Sequence, residues 1–343
     1  MREHFPRTLV RLLQWSLVVA LLAWALRGIS LVDIGRVLSR LGIAQLAALL
    51  ALNLLILWSF TWRWWAVLRA LGYSIPTRLL AVYRLAAFAV SYLTPGPQFG
   101  GEPLQVFVLS RRQALPTSTA IASVVLDKTL ELISSFTFLI VGVVAVLRLN
   151  LIPVPAQTPL LALSLVLLSL PAAYLAFSCR GARPATWLLG RFPAAARRWP
   201  GYKRFSRSLA EGEIQVGRLC REQSTWLLVA IALSGISWVF VLAEAWMAMQ
   251  FLGITLGPAQ AIGVVAAGRL AFLLPFPGGL GALEVSQILA VGALGFSRTD
   301  GVALGLLIRS RDLLLAGVGA WLAVILAPEL RAVGGPDRET DDL

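Results

Sequence analysis

Leu93-Thr94-Pro95-Gly96-Pro97-Gln98-Phe99-Gly100-Gly101-Glu102 and Leu273-Leu274-Pro275-Phe276-Pro277-Gly278-Gly279-Leu280-Gly281-Ala282-Leu283-Glu284 read as two copies of one signal. Each opens with Leu-x-Pro-x-Pro, passes through glycines and ends in a glutamate, the second after two extra residues. Neither can continue a helix, because proline removes an amide donor and glycine weakens a helix interior. Both interrupt apolar runs. In a bilayer, irregular backbone persists only where protein or a watery cavity surrounds it. Two interrupted segments at corresponding places in two halves point to a transporter binding site. Pro95, Pro97, Gly100, Gly101 and Glu102 are therefore candidate substrate-binding residues, with Pro275, Pro277, Gly278, Gly279, Gly281 and Glu284 as their counterparts.

The flanking sequence is that of a membrane protein. Of 343 residues, 58% are hydrophobic and 14% charged, and the mean hydropathy is +0.79. Recurring apolar runs of spanning length predict an all-α polytopic fold. The net charge of +13 comes almost wholly from arginine, 28 of the 30 basic residues. In so apolar a chain this favours anionic lipid headgroups over nucleic acid as the partner. The only histidine is His4, which excludes a histidine-based triad and a histidine-rich zinc site; no cofactor or metal is expected. The glycines of the second copy lack the Gly-Lys-Ser/Thr ending of a phosphate loop.

Six full spans are predicted, at 8–26, 43–62, 117–147, 160–178, 225–252 and 301–327, with two re-entrant hairpins at 79–109 and 259–295. Reading the hairpins as crossings gives about eight spans instead. A signal peptide competes for 8–26, where Ala23-Trp24-Ala25 resembles a cleavage site. Trp58, Trp62, Trp64 and Trp65 with Arg63 and Arg69 read as an interfacial aromatic belt ending the second span. Residues 150–159 read as a proline-rich loop. The connector 180–224 holds ten basic residues against three glutamates, so anionic headgroups are expected beneath it, and the positive-inside bias puts it and both termini in the cytoplasm of an inner membrane. Cys179 and Cys220, at its two ends, are accordingly expected as free thiols. The chain thus divides into an N-terminal part (1–42), repeat 1 (43–147), a connecting part (148–224), repeat 2 (225–327) and a polar, acidic, disordered tail (328–343). With re-entrant hairpins, the repeats are inverted copies.

Eleven ionisable residues fall within the membrane segments: Arg84, Glu102, Asp127, Lys128, Glu131, Glu244, Arg269, Glu284, Arg309, Arg311 and Asp312. Each costs roughly 2.5–3.5 kcal/mol at a helix centre, so they must be paired, interfacial or facing a polar cavity. Asp127 and Glu131 share a helix face at i, i+4, as do Arg309 and Asp312 at i, i+3. Two carboxylates so close need a cation between them or a shared proton. Glu102 to Asp127 and Glu284 to Arg309 are both 25 residues apart. This equal spacing suggests that Arg309 reaches the Asp127/Glu131 face, with helices 117–147 and 301–327 meeting near a central axis. Two readings stay open: a structural ion-pair network, or a polar pathway for a lipid headgroup.

At these residues, Pro95 and Pro97 with Gly100-Gly101-Glu102, Asp127-Lys128-x-x-Glu131, and Pro275-Phe276-Pro277-Gly278-Gly279-Leu280-Gly281 with Glu284, the chain resembles the membrane region of lysylphosphatidylglycerol synthetases, over roughly 10–327. The resemblance implies movement of a lipid between leaflets, with Glu102, Asp127, Glu131 and Glu284 matching the family's polar positions. It does not imply aminoacyl transfer, which a separate soluble domain performs in the synthetases. Lys128 departs from the arginine expected after the acidic residue. The expected function is a lipid flippase or transporter, not an enzyme, for a phospholipid, glycolipid or isoprenoid-type lipid. The alternatives are a membrane partner docking a lipid-biosynthesis enzyme and a headgroup-modifying enzyme. A homo-oligomer is also open.

Overall fold

A computed structural model describes residues 31–94, 100–149, 154–191, 201–273, 279 and 281–332. The described chain is helical throughout. The helices are α1 (Leu31–Leu38), α2 (Ile43–Ala70), α3 (Thr77–Leu93), α4 (Glu102–Arg112), α5 (Thr117–Arg148), α6 (Val154–Cys179), α7 (Pro184–Leu189), α8 (Tyr202–Glu222), α9 (Ser224–Phe251), α10 (Pro258–Phe272), α11 (Ala282–Ala293) and α12 (Arg298–Ala332). The expected span 8–26 and the end of the tail lie outside the described residues.

Among the described residues, four helices are long and apolar enough to cross a bilayer: α2, α5, α6 from Gln157, and α9. α12 has the length, at 35 residues, but carries Arg309, Arg311 and Asp312 at mid-helix. The two interrupted segments each give a pair of short helices, α3 with α4 and α10 with α11. At 1.5 Å per residue the longest of these, the 17-residue α3, rises only about 25 Å, short of the roughly 30 Å hydrocarbon core.

Local sequence explains where the long helices stop and start. α2 and α9 end alike, at Leu71-Gly72 and Leu252-Gly253, with both glycines left-handed at φ 88° and 80°. Glycine ends a helix here because it takes that conformation without a Cβ penalty. α2 and α10 also begin alike. The Gly42 and Gly257 amides donate to the side chains of Gln45 and Gln260 at 2.9 and 3.0 Å.

The packing repeats as well. α2 and α9 pack along one another and run antiparallel: Asn53 faces Glu244, and Trp65 meets Trp226 edge-on. α3 packs against α12, and α10 packs against α5. Both contacts are antiparallel and close over a glycine. A Cβ on Gly319 of α12 would strike the Leu85 carbonyl of α3, and one on Gly142 of α5 would strike Ala266 Cβ of α10. Small residues let membrane helices approach closely. α5 and α12 do not pack along one another, which corrects the expected meeting of these helices. The space between them is a cavity.

Five further expectations are corrected. α2 does not stop at residue 62 but runs on to Ala70, which carries Arg63 and Trp64 into the interior, both 0% exposed. Residues 154–159 are helical, with Pro155 in the first turn, where its missing N–H has no helical partner to lose. α12 continues past Pro328 to Ala332. The connector is folded rather than a loop: α8 buries Leu209, Val216 and Leu219, packs on α5 and α6, and directs Glu213 at the free amides of Ala185 and Thr186 at the start of α7 (2.8 and 3.0 Å). Folding α8 back along α6 brings Cys220 to Cys179, Cα atoms 5.3 Å apart, and the two form a disulfide rather than free thiols.

Candidate functional site

At the first break the chain doubles back on α3. The Gly101 amide donates to Ser91 Oγ and the Gly100 amide to Glu102 Oε2, both at 2.8 Å. A Cβ on Gly101 would collide with the Ala87 carbonyl, so only glycine fits this approach. Glu102 opens α4, where an anion complements the positive end of the helix dipole. At the second break Gly279 and Gly281 are left-handed, at φ 63° and 75°, and Glu284 sits in the first turn of α11. Pro95, Pro97, Pro275, Pro277 and Gly278 lie outside the described residues.

Among the described residues, three groups of ion pairs lie at or beside the cavity. In the first, Asp127 Oδ1 accepts from Arg63 Nε at 2.8 Å, and Asp127 Oδ2 from Arg84 Nη2 at 2.6 Å. Arg63 Nη2 also reaches Glu131 at 3.2 Å. Lys128 bridges Glu131 at 2.9 Å and Glu102 at 3.1 Å. The paired carboxylates thus have the cations their spacing demands, but from α2, α3 and their own helix, not from Arg309. In the second group Arg309, 0% exposed, donates to Glu284 at 2.9 Å, to the Gly279 carbonyl at 3.2 Å and to Tyr92 Oη at 2.8 Å. That corrects its expected place on the Asp127/Glu131 face. It is the latch of the second break, tying it to α3. In the third group Arg311 of α12 joins Glu244 of α9 at 2.8 Å and its neighbour Asp312 at 2.9 Å.

Sequence reasoning missed Arg63 because a basic residue among tryptophans is the interfacial pattern. The discriminating signal was the absence of any helix breaker before Gly72. Lys128, whose departure from the family pattern left its role open, is the bridge between the first break and α5. Trp64 is also not part of an interfacial belt. Trp64 is buried under Arg84, and Trp238 lines the cavity.

The cavity encloses about 290 Å³. Arg84, Glu102, Asp127, Lys128 and Glu131 line it from the first half, and Glu244, Arg269, Arg311 and Asp312 from the second. Phe60, Phe88, Trp238 and Phe272 complete the wall. A second, mostly apolar cavity of about 720 Å³ shares Glu102, Lys128, Glu131, Ser135, Arg269 and Phe272 with it and extends along α5 and α6. A polar chamber thus opens onto an apolar groove, a shape matched to an amphiphile.

Residues 11–319 match the lysylphosphatidylglycerol synthase TM region. The chain belongs to that family. As a member of the lysylphosphatidylglycerol synthase TM region family it is an integral membrane protein, and its matched region takes in both breaks and all three ion-pair groups. It is also similar to a UPF0104 membrane protein of Methanothermobacter thermautotrophicus (strain Delta H), at 25% identity over 257 residues, covering 72% of this chain and 74% of that protein.

Proposed function

We propose that this protein moves a lipid between the leaflets of a cell's inner membrane, as a transporter rather than an enzyme. One observation carries the reading: both broken hairpins line the polar cavity, which opens onto an apolar groove. The antiparallel packing of α2 and α9 supports it: inverted repeats would set equivalent helices antiparallel, and one central site can then open to either face. The hairpins would be re-entrant, entering from opposite sides. Glu102, Asp127, Glu131, Glu284, Arg309 and Asp312 would form or frame the polar path. The carboxylates that acid–base chemistry would use are held by cations, which favours binding over bond-breaking.

Both termini and the connector would face the cytoplasm, with the exposed Lys203, Arg204 and Arg207 of α8 on anionic headgroups. The arginine bias carries this orientation, against the disulfide, which a reducing compartment disfavours. A single cysteine at Lys203, in a chain with Cys179 and Cys220 changed to serine, is expected to react with an impermeant maleimide only after the membrane is opened. Reaction in intact cells would reverse the orientation.

Transport itself is tested with purified protein in vesicles carrying a fluorescent lipid, bleached from outside. The expected result is exchange of the inner pool faster than in protein-free vesicles. Lys128→Gln is expected to slow it about 10-fold, the effect of losing about 1.4 kcal/mol of interaction, while the fold survives. If no labelled lipid moves faster than in empty vesicles, the transport reading is lost.

A further inference from the structure

Arg269 stands outside the three ion-pair groups. Among the described residues no carboxylate lies within 4.0 Å of its guanidinium, while Arg63, Arg84, Lys128, Arg309 and Arg311 all have one. It sits in the last turn of α10, at the approach to the second break. Its guanidinium carbon lies over the Trp238 ring, 4.8 Å from the centroid. Trp238 in turn stacks on Phe138, with centroids 4.1 Å apart and planes 14° from parallel. The cation is therefore held by its π-face, and its planar fork of N–H donors is left for another acceptor. Such a fork matches a phosphate or carboxylate bidentately.

Position adds the second half. Arg269 lines both the polar cavity and the apolar groove, at their junction. The groove wall beyond it is Leu132, Phe136, Leu139, Leu167, Leu170 and Leu273. Leu170 is 65% exposed, on a helix apolar enough to span the bilayer, so the groove opens toward the lipid phase. An anion at Arg269 attached to alkyl chains in this groove would have each part in matching surroundings.

We propose that Arg269 binds the phosphate of a lipid whose chains lie in the groove between α5 and α6. The substrate is then a phosphate-bearing lipid that reaches the cavity sideways from the bilayer. This rests on the lipid-transport reading and narrows it to one substrate class and one route.

Binding to the purified full chain in detergent tests it, with retained lipid quantified by mass spectrometry. Three probes separate the parts: dioleoyl phosphatidic acid, dioleoylglycerol with the same chains and no phosphate, and glycerol 3-phosphate with no chains. The expected order is phosphatidic acid at least about 10-fold above dioleoylglycerol, with glycerol 3-phosphate not retained. Arg269→Gln is expected to bring phosphatidic acid down to the level of dioleoylglycerol, and Arg269→Lys to fall between. Leu167→Trp, which fills the groove, is expected to lower both lipids. The wild-type comparison stands even if a variant does not fold. Equal retention of the two lipids overturns the phosphate assignment and leaves lipid transport intact. Retention of neither overturns both. Glycerol 3-phosphate bound as well as phosphatidic acid overturns the groove as the chain site.

Discussion

Asp127→Ala is expected to cost about 3–5 kcal/mol of stability, the range for breaking a buried ion pair from one side. Asp127 is 5% exposed and receives two guanidinium groups, the buried one of Arg63 from α2 and the half-buried one of Arg84 from α3. Removing it leaves Arg63, which water cannot reach, with only Glu131 at 3.2 Å. Arg63 Nη1 already lacks a hydrogen-bond partner, so no spare acceptor stands by. The measurement is the fraction of protein remaining monodisperse in detergent after heating. A double change, Arg63→Met with Asp127→Leu, is expected to lose less than Asp127→Ala alone, because it removes the unpaired charge as well as the pair. If the double variant is the worse of the two, the pair itself contributes more than the desolvation it relieves.

Gly319→Ala should destabilise by roughly 1–3 kcal/mol, as overpacking does in a close contact. The added methyl would meet backbone: the Leu85 carbonyl carbon would be 2.8 Å away and its oxygen closer still. Backbone cannot step aside without moving α3 against α12. The matching contact in the other half behaves differently under the same change. Gly142→Ala meets a side chain, Ala266 Cβ, so Ala266→Gly is expected to restore most of what Gly142→Ala loses. No side-chain change on α3 should rescue Gly319→Ala. Thermal unfolding of Gly319→Ala and Gly142→Ala, each alone and with its facing change (Ala89→Gly and Ala266→Gly), checks both statements. An equal response of the two glycines to rescue would show that the contacts are more alike than their geometry indicates.

Much of this fold was legible before any coordinates. Proline and glycine act within a residue or two of themselves, so the two breaks and the short helices beside them could be read directly. The carboxylates of α5 and the glutamates after the breaks were equally readable, because i, i+4 spacing and helix starts are local properties. What was not legible was which cation each carboxylate meets. Arg63 lies 64 residues from Asp127, and only the packing of α2 against α5 joins them. Equal spacing in the two halves suggested Arg309 instead. That inference assumed α5 and α12 touch, whereas the glycines send each against the other half's short helix. The connector was misread for a related reason. Its ten basic residues dominate the composition, while the few apolar positions that pack α8 on α5 are sparse and far apart.

The added cation has an electrical consequence. With Arg63 counted, the membrane-embedded set is Arg63, Arg84, Lys128, Arg269, Arg309 and Arg311 against Glu102, Asp127, Glu131, Glu244, Glu284 and Asp312. Six stand on each side in their ordinary charge states. Carrying one uncompensated elementary charge through the membrane potential is worth about 2.3 kcal/mol per 100 mV. A set that sums to zero does no such work when it shifts as a unit, so under the proposed transport function the empty protein would change state without regard to voltage. Only the cargo would feel the field. In a cell negative inside, a lipid with one net negative charge would be driven toward the outer leaflet, whereas a zwitterion would follow its concentration alone.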